Sequence, residues 1–202
     1  MNALSTLDIQ RARTLVKAPV PLLPPLSLDR LTGRITEVSE AGYFGALTAV
    51  SAVLDQAQAR GESCVWVATG DSLFYPPDLA FRGLDVEALA VVRVPGPLAG
   101  MLAADWLVRS GAFGLVILDW TGASIEESVL GRMAKVAEDR KTAVIFLTRK
   151  ADSAPSLGTA VSLRLTVRRS GDEGLAVFVT KDKRPGAPVV QKERLHGPLG
   201  LY

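Results

Sequence analysis

Cysteine and histidine are nearly missing from this 202-residue chain, which has one of each, Cys64 and His196. A single cysteine excludes an intrachain disulfide, and one cysteine with one histidine leaves little for a zinc site. His196 has no second histidine or cysteine to join it, so no metal is expected. Cys64 lies in the apolar run Ser63-Cys64-Val65-Trp66-Val67 and reads as a buried structural thiol. No apolar run approaches the roughly 20 residues of a membrane span, so no membrane partner is expected. Residues 1–13 lack an apolar signal core, which predicts a cytoplasmic chain. What is present is 48% hydrophobic and 22% charged residues, the balance of a globular rather than a disordered chain. The length suits one domain of ordinary size.

Charge is small in sum, +2, but unevenly placed. Residues 1–148 hold 13 Lys/Arg against 16 Asp/Glu, while residues 149–202 hold 10 against 5. The basic end reads either as a surface for nucleic acid or an acidic partner, or as a solvated rim of strands.

The order of elements follows from periodicity and punctuation. Leu4, Leu7, Ile9, Ala12, Leu15 and Val16 have a loose helical spacing. Four prolines within residues 18–26 then favour an extended arm. This divides the chain into an N-terminal helix and arm (1–30), a core (31–195) and a short tail (196–202). From Gly33 onward strand and helix alternate. Strands are expected at 35–38, 63–68, 89–94, 115–119 and 143–147. Helices are expected at 44–59, 77–82, 98–110 and 124–140, the last capped by Ser124, and the first three stopped by Gly61, Gly83 and Gly111. Strands at 160–167, 175–180 and 189–194 close the chain, the first two joined by the turn signal Ser170-Gly-Asp-Glu-Gly174. Apolar strands without alternation, separated by helices, predict an α/β fold with a mostly parallel sheet covered on both faces. The last strands add an antiparallel edge.

Residues 33–48, Gly-Arg-Ile-Thr-Glu-Val-Ser-Glu-Ala-Gly-Tyr-Phe-Gly-Ala-Leu-Thr, have the strand–turn–helix form of a phosphate-binding loop, G-x-x-x-x-G-K-[ST]. Only the second glycine stands, as Gly45. Glu40 holds the first glycine's place, Ala46 the lysine's and Leu47 the hydroxyl's. Such a loop works because its backbone N–H groups face the phosphates, a lysine neutralises them and a hydroxyl holds Mg²⁺. Here a carboxylate enters and the lysine and hydroxyl are gone, so no nucleotide cofactor and no ATP hydrolysis are expected. Tyr43 and Phe44 read either as plugs of the loop or, if exposed, as aromatic contacts for a partner.

The stretches Gly33–Val38, Leu107–Ala112 with Leu115–Asp119, Ala143–Thr148, Ser162–Arg169 and Thr180–Lys183, in that order, resemble the RecA recombinase core. The likeness spans about residues 31–195 and implies a RecA-like pseudo-ATPase fold. By that resemblance Asp119 is the Walker B remnant. Lys181 and Lys183 are similar to the lysines that cross a filament interface to a neighbour's nucleotide. The family's catalytic glutamate falls within Ala68–Asp71, where only Asp71 could stand in, one position off; Arg149 replaces its glutamine sensor; the first DNA loop is gone and the second is cut to about Arg149–Gly158. Arg149 and Lys150 remain for a weak, salt-sensitive phosphate contact. Asp71, Asp119 and Arg149 also meet the general placement of α/β active sites, the strands' carboxyl ends, which keeps an enzyme reading in view.

RecA-like chains without ATPase motifs include the ImuA family, accessory proteins of mutagenic translesion synthesis, and the SulA family, inhibitors of the division protein FtsZ. The extent of the likeness favours the former. The resemblance then implies a non-catalytic accessory protein that meets RecA, an ImuB-like inactive polymerase, or both, and through them an error-prone replicative-type polymerase. The alternative is an FtsZ-binding division inhibitor. Candidate partner-binding residues are Leu7 on the N-terminal helix, Tyr43, Phe44, Arg149, Lys150, Lys181, Lys183, and Leu199 and Tyr202 of the apolar tail. The helix at 4–16 reads as docking on a neighbour or on its own core, and the tail as a partner peptide or as chain folded back on the sheet.

Overall fold

The computed structural model describes residues 26–40, 45–70, 72, 74–80, 83–120, 125–170, 174–184 and 190–193. They form a one-turn helix α1 (Leu28–Leu31), then β1 (Arg34–Glu40), α2 (Gly45–Ala59), β2 (Cys64–Ala68), α3 (Pro76–Ala80), β3 (Leu89–Arg93), α4 (Pro97–Ser110), β4 (Leu115–Asp119), α5 (Glu127–Arg140), β5 (Ala143–Arg149), β6 (Leu163–Ser170), β7 (Gly174–Asp182) and β8 (Val190–Glu193). None of the described helices is long and apolar enough to cross a membrane.

The fold is α/β, with an eight-stranded sheet in the order β3-β2-β4-β5-β1-β6-β7-β8. β1 to β6 run parallel, and β6–β7 and β7–β8 pair antiparallel at the C-terminal edge. The apolar strands are legible as a sheet buried on both faces. In β2, Cys64, Trp66 and Ala68 join the core beneath α1, α2 and α3, while Val65 and Val67 join the core beneath α4 and α5. The same split sends Ile117 and Ile145 to the first core, and Val116, Leu118, Val144 and Phe146 to the second. Each such side chain contributes about 1.5–3 kcal/mol by leaving water. Trp66 stacks on Phe74 with ring centroids 4.5 Å apart.

Glycine ends two of the long helices as its conformational freedom requires. Gly61 follows α2 at φ +72° and Gly111 caps α4 at φ +68°. α5 instead ends on Lys141, at φ 59°, with the next N–H, that of Thr142, donated back to the Ala137 carbonyl at 3.0 Å. Its start also differs from expectation. The helix begins at Glu127, with Glu126 in the N-cap position and no side-chain cap bond. Ser124 lies outside the described residues. β6 begins at Leu163 rather than 160, because Thr159 and Ala160 form a turn whose Thr159 N–H and hydroxyl donate to Glu127.

The boundary expected at residue 30 shifts as well. Leu26, Leu28 and Leu31 are buried in the α2-side core. Gln56 of α2 accepts the Leu28 N–H at 3.0 Å and donates to the Leu26 carbonyl at 3.1 Å. Residues 26–31 therefore belong to the core domain. The helix expected at 4–16, most of the proline arm and the tail lie outside the described residues.

Candidate functional site

β1, β4 and β5 end together at one side of the sheet, and α2 starts there. The chain leaves β1 for β2, three places along the sheet, so its carboxyl end opens beside strands reached by other crossovers. Glu40 is the last residue of β1, Asp119 of β4 and Arg149 of β5, and Glu40 and Arg149 are register partners. From the sequence, Glu40, Gly45, Ala46 and Leu47 are expected in a degenerate nucleotide loop, and by the resemblance Asp119 is the Walker B remnant and Arg149 the replacement of a sensor glutamine. The structure brings Glu40, Ala46, Leu47, Asp119 and Arg149 together around one cavity of about 30 Å³, which Phe74, Leu147 and Thr148 also line among the described residues. That volume holds about two waters.

Glu40 does more than add charge to this site. Its Oε2 accepts the backbone N–H of Ala46 at 2.8 Å, inside the first turn of α2. This N–H belongs to the set of unpaired donors that make a helix start an anion site. The carboxylate therefore occupies the place where a phosphate would be cradled. Burial pushes the Glu40 carboxyl up, and neighbouring Asp119 pushes the same way, while the Ala46 N–H and Arg149 oppose them. Gly45 is kept by packing: a Cβ there would meet Leu175 Cδ2 and Val167 Cγ1 at 3.1 Å. Asp119 is fixed through its backbone. Its carbonyl accepts from Thr69 Oγ1 at 3.1 Å, and the following Trp120 N–H donates to Leu147 O at 2.9 Å.

The other cations gather elsewhere. Lys150 turns to the opposite face of the sheet, where its Nζ lies 2.5 Å from Glu37 Oε1 and donates to the Pro155 carbonyl at 2.6 Å. Glu37 is wholly buried. It also accepts from Thr148 Oγ1 at 3.1 Å and the Leu157 N–H at 3.0 Å, with Arg164 Nε 3.9 Å away. Lys181 and Lys183 donate to the carbonyls of Gly158 and Thr159, at 3.2 and 2.5 Å. Burial, then the Lys183 charge, lowers the Lys181 ammonium from its usual range. The three lysines thus hold the segment between β5 and β6 against the sheet. Of the expected contact residues, Arg149 alone among the described basic ones presents an exposed side chain without such a bond. Leu7, Tyr43, Phe44, Asp71, Leu199 and Tyr202 lie outside the described residues.

Sequence reading missed Glu37 and Phe74. Glu37 carried one signal, a carboxylate in the middle of an apolar strand. The described residues contain no group of three or more His, Cys, Asp or Glu able to hold a metal ion. The outer face of α4 also went unread. Leu98, Leu102 and Trp106, four residues apart, are 77%, 55% and 70% exposed, and Arg109 stacks over Trp106 at 5.3 Å. No protein-family model matches the chain.

Proposed function

We propose that this chain is a non-catalytic, RecA-like accessory protein of damage-induced mutagenic translesion synthesis, cytoplasmic and of the ImuA type. It works by binding RecA, an ImuB-like inactive polymerase, or both. The observation that carries this reading is the Glu40–Ala46 hydrogen bond. A side chain of the protein itself takes a donor that nucleotide phosphates need, in a pocket that already holds the Asp119 carboxylate. A triphosphate entering there would meet two carboxylates in a medium that screens them poorly. A scaffold of this kind acts through its surface. The stripe Leu98, Leu102 and Trp106 supports that, because large apolar side chains in contiguous exposure mark interaction sites more often than chance.

The test is capture of partners by the tagged, full-length chain from DNA-damaged cells of its own source. Recovery of RecA with an inactive polymerase relative is the expected result, reduced at least fivefold by Trp106→Ser. Trp106 is exposed, so that variant should fold normally. Recovery of FtsZ in their place overturns the reading in favour of division inhibition. ATP with Mg²⁺ is expected to leave Tm unchanged, since a ligand raises stability only in proportion to its binding. An upward shift would overturn the non-catalytic reading.

A further inference from the structure

The segment between β5 and β6 is fastened by charge rather than by apolar packing. None of residues 151–160 is buried, and of its apolar side chains Leu157 and Ala160 reach the core beneath α4 and α5, each only partly covered. Its polar contacts are dense by comparison. Lys150 donates to the Pro155 carbonyl at 2.6 Å, and Arg164 to the carbonyls of Ala151 and Ala154. Lys181 and Lys183 donate to those of Gly158 and Thr159 at 3.2 and 2.5 Å. The Leu157 and Thr159 N–H groups donate in turn to Glu37 and Glu127, at 3.0 and 2.6 Å. Gly158 allows the close seat on α5, since a Cβ there would meet Leu130 Cδ1 at 2.7 Å.

Lifting such a segment returns little apolar area to water, the condition under which a region opens below the global unfolding free energy. It also gives water access to the buried charges of Glu37 and Arg164, whose desolvation the closed form bears. Glu37 keeps Lys150 and Thr148 as partners when the Leu157 N–H leaves. The surface beneath changes character at the same time. In the closed form four cations, from β6, β7 and the ends of β5 and β7, give their hydrogen bonds to carbonyls of this one segment. They are crowded: burial lowers the Lys181 ammonium most, and the charges of Lys183 and Arg164 add to it. A neutral carbonyl leaves that charge unanswered, and a carboxylate binds the same groups about twice as strongly. Glu37 and Glu127 stand among these cations, which disfavours the evenly charged backbone of a nucleic acid and favours carboxylates presented singly.

We propose that residues 151–160 form an autoinhibitory strap. Its carbonyls occupy Lys150, Arg164, Lys181 and Lys183, and an acidic segment of a protein partner takes these cations when the strap lifts from an otherwise intact sheet. This surface is separate from the Glu40 pocket and from α4, and the proposal does not rest on the accessory-protein reading.

Amide hydrogen exchange of the purified full chain, with and without a poly-glutamate peptide, tests it. The expected result is one shared opening constant for the Leu157 and Thr159 amides, at least a hundredfold above that of the β1 and β5 amides. Poly-glutamate should raise exchange at the strap at least tenfold and leave β1 and β5 unchanged. Gly158→Val, which wedges the strap from α5, should raise strap exchange without the peptide while the β1 and β5 amides stay protected. The double variant Lys181→Met, Lys183→Met should also raise it, and should lose the poly-glutamate response. Exchange of Leu157 and Thr159 only with the β1 and β5 amides would make the segment part of the rigid core and overturn the proposal. An unchanged rate with poly-glutamate would overturn it as well. A larger response to a thymidine oligonucleotide of equal charge would overturn the acidic protein partner in favour of nucleic acid.

Discussion

Lys150 and Glu37 form an ion pair across the sheet, Nζ to Oε1 2.5 Å, with the carboxylate wholly buried and the lysine side chain one-fifth exposed. The pair is unequal, and that decides which substitution hurts more. Lys150→Met leaves Glu37 charged in the interior, where breaking a buried pair costs about 3–5 kcal/mol. The loss expected here is about 3 kcal/mol, the low end of that range, because Arg164, Thr148 and the Leu157 N–H still face the carboxylate. Urea unfolding of the variant measures it. A double-mutant cycle with Glu37→Gln should recover part of the loss, since the neutral amide no longer needs a cation.

Much of the fold could be read from the sequence because the relevant signals are local. Gly61 and Gly111 stop their helices where expected, since only a left-handed residue turns the chain there. The uninterrupted apolar strands pointed to a two-faced sheet, which is observed. Glu40, Ala46, Leu47, Asp119 and Arg149, all singled out from the sequence, line one pocket. What stayed hidden depends on contacts between distant residues. Glu37 finds its partners 111 and more residues away, so nothing near it reveals that it is buried. Glu127 reads as a first-turn acid of α5, yet its carboxylate accepts from Thr159 and holds a loop. Lys181 and Lys183 read as outward cations, but carbonyls brought close only by the fold bind them. Hydrophobic periodicity locates elements; it does not say where a long charged side chain will turn.

Asp182, at the end of β7, holds two buried arginines: Arg34 at 2.6 Å and Arg30 at 2.9 Å. Burial pushes its carboxyl up, but the hydrogen bonds from Arg34, Arg30 and the Arg184 N–H outweigh that and hold it below its ordinary value. A depressed carboxyl contributes stability that is present above the unfolded pKa and lost as pH falls through the folded one. The wild type should therefore lose stability in acid below the usual carboxylate range. Asp182→Asn should cost about 3–5 kcal/mol at neutral pH and show a weaker acid dependence. Thermal melts of both proteins across the acid range give the comparison.

Cys64 should be inert in the folded protein. Burial, with Glu62 adding to it, pushes its thiol from 9.0 up to about 11, and Sγ donates to the Glu62 carbonyl at 3.3 Å. The thiolate is the reactive form, so at pH 8 almost none is present and the group is also covered. Labelling by a thiol reagent should be slow without denaturant and fast after unfolding. The sign of the linkage is also fixed. The unfolded thiol gives up its proton first, so stability should decline as pH rises from about 9 towards 11. Cys64→Ser should lose that decline.

Glu40 should act on stability in the direction opposite to Asp182. Its carboxyl is raised in the fold, chiefly by burial and then by Asp119, against the pull of the Ala46 N–H and Arg149. A raised carboxyl binds its proton more tightly when folded, so it favours folding at low pH and opposes it once ionised. Glu40→Gln keeps an oxygen to accept the Ala46 N–H and removes only the charge. The variant should be more stable than the wild type above the folded pKa, and the gap should close as pH falls towards the ordinary 4.5. Tm difference plotted against pH is the measurement. A gap that stayed constant with pH would mean that Glu40 acts through its shape and hydrogen bond alone. A gap that narrows in acid identifies the carboxylate charge, held against the Ala46 N–H at the head of α2, as the group that opposes folding at this site.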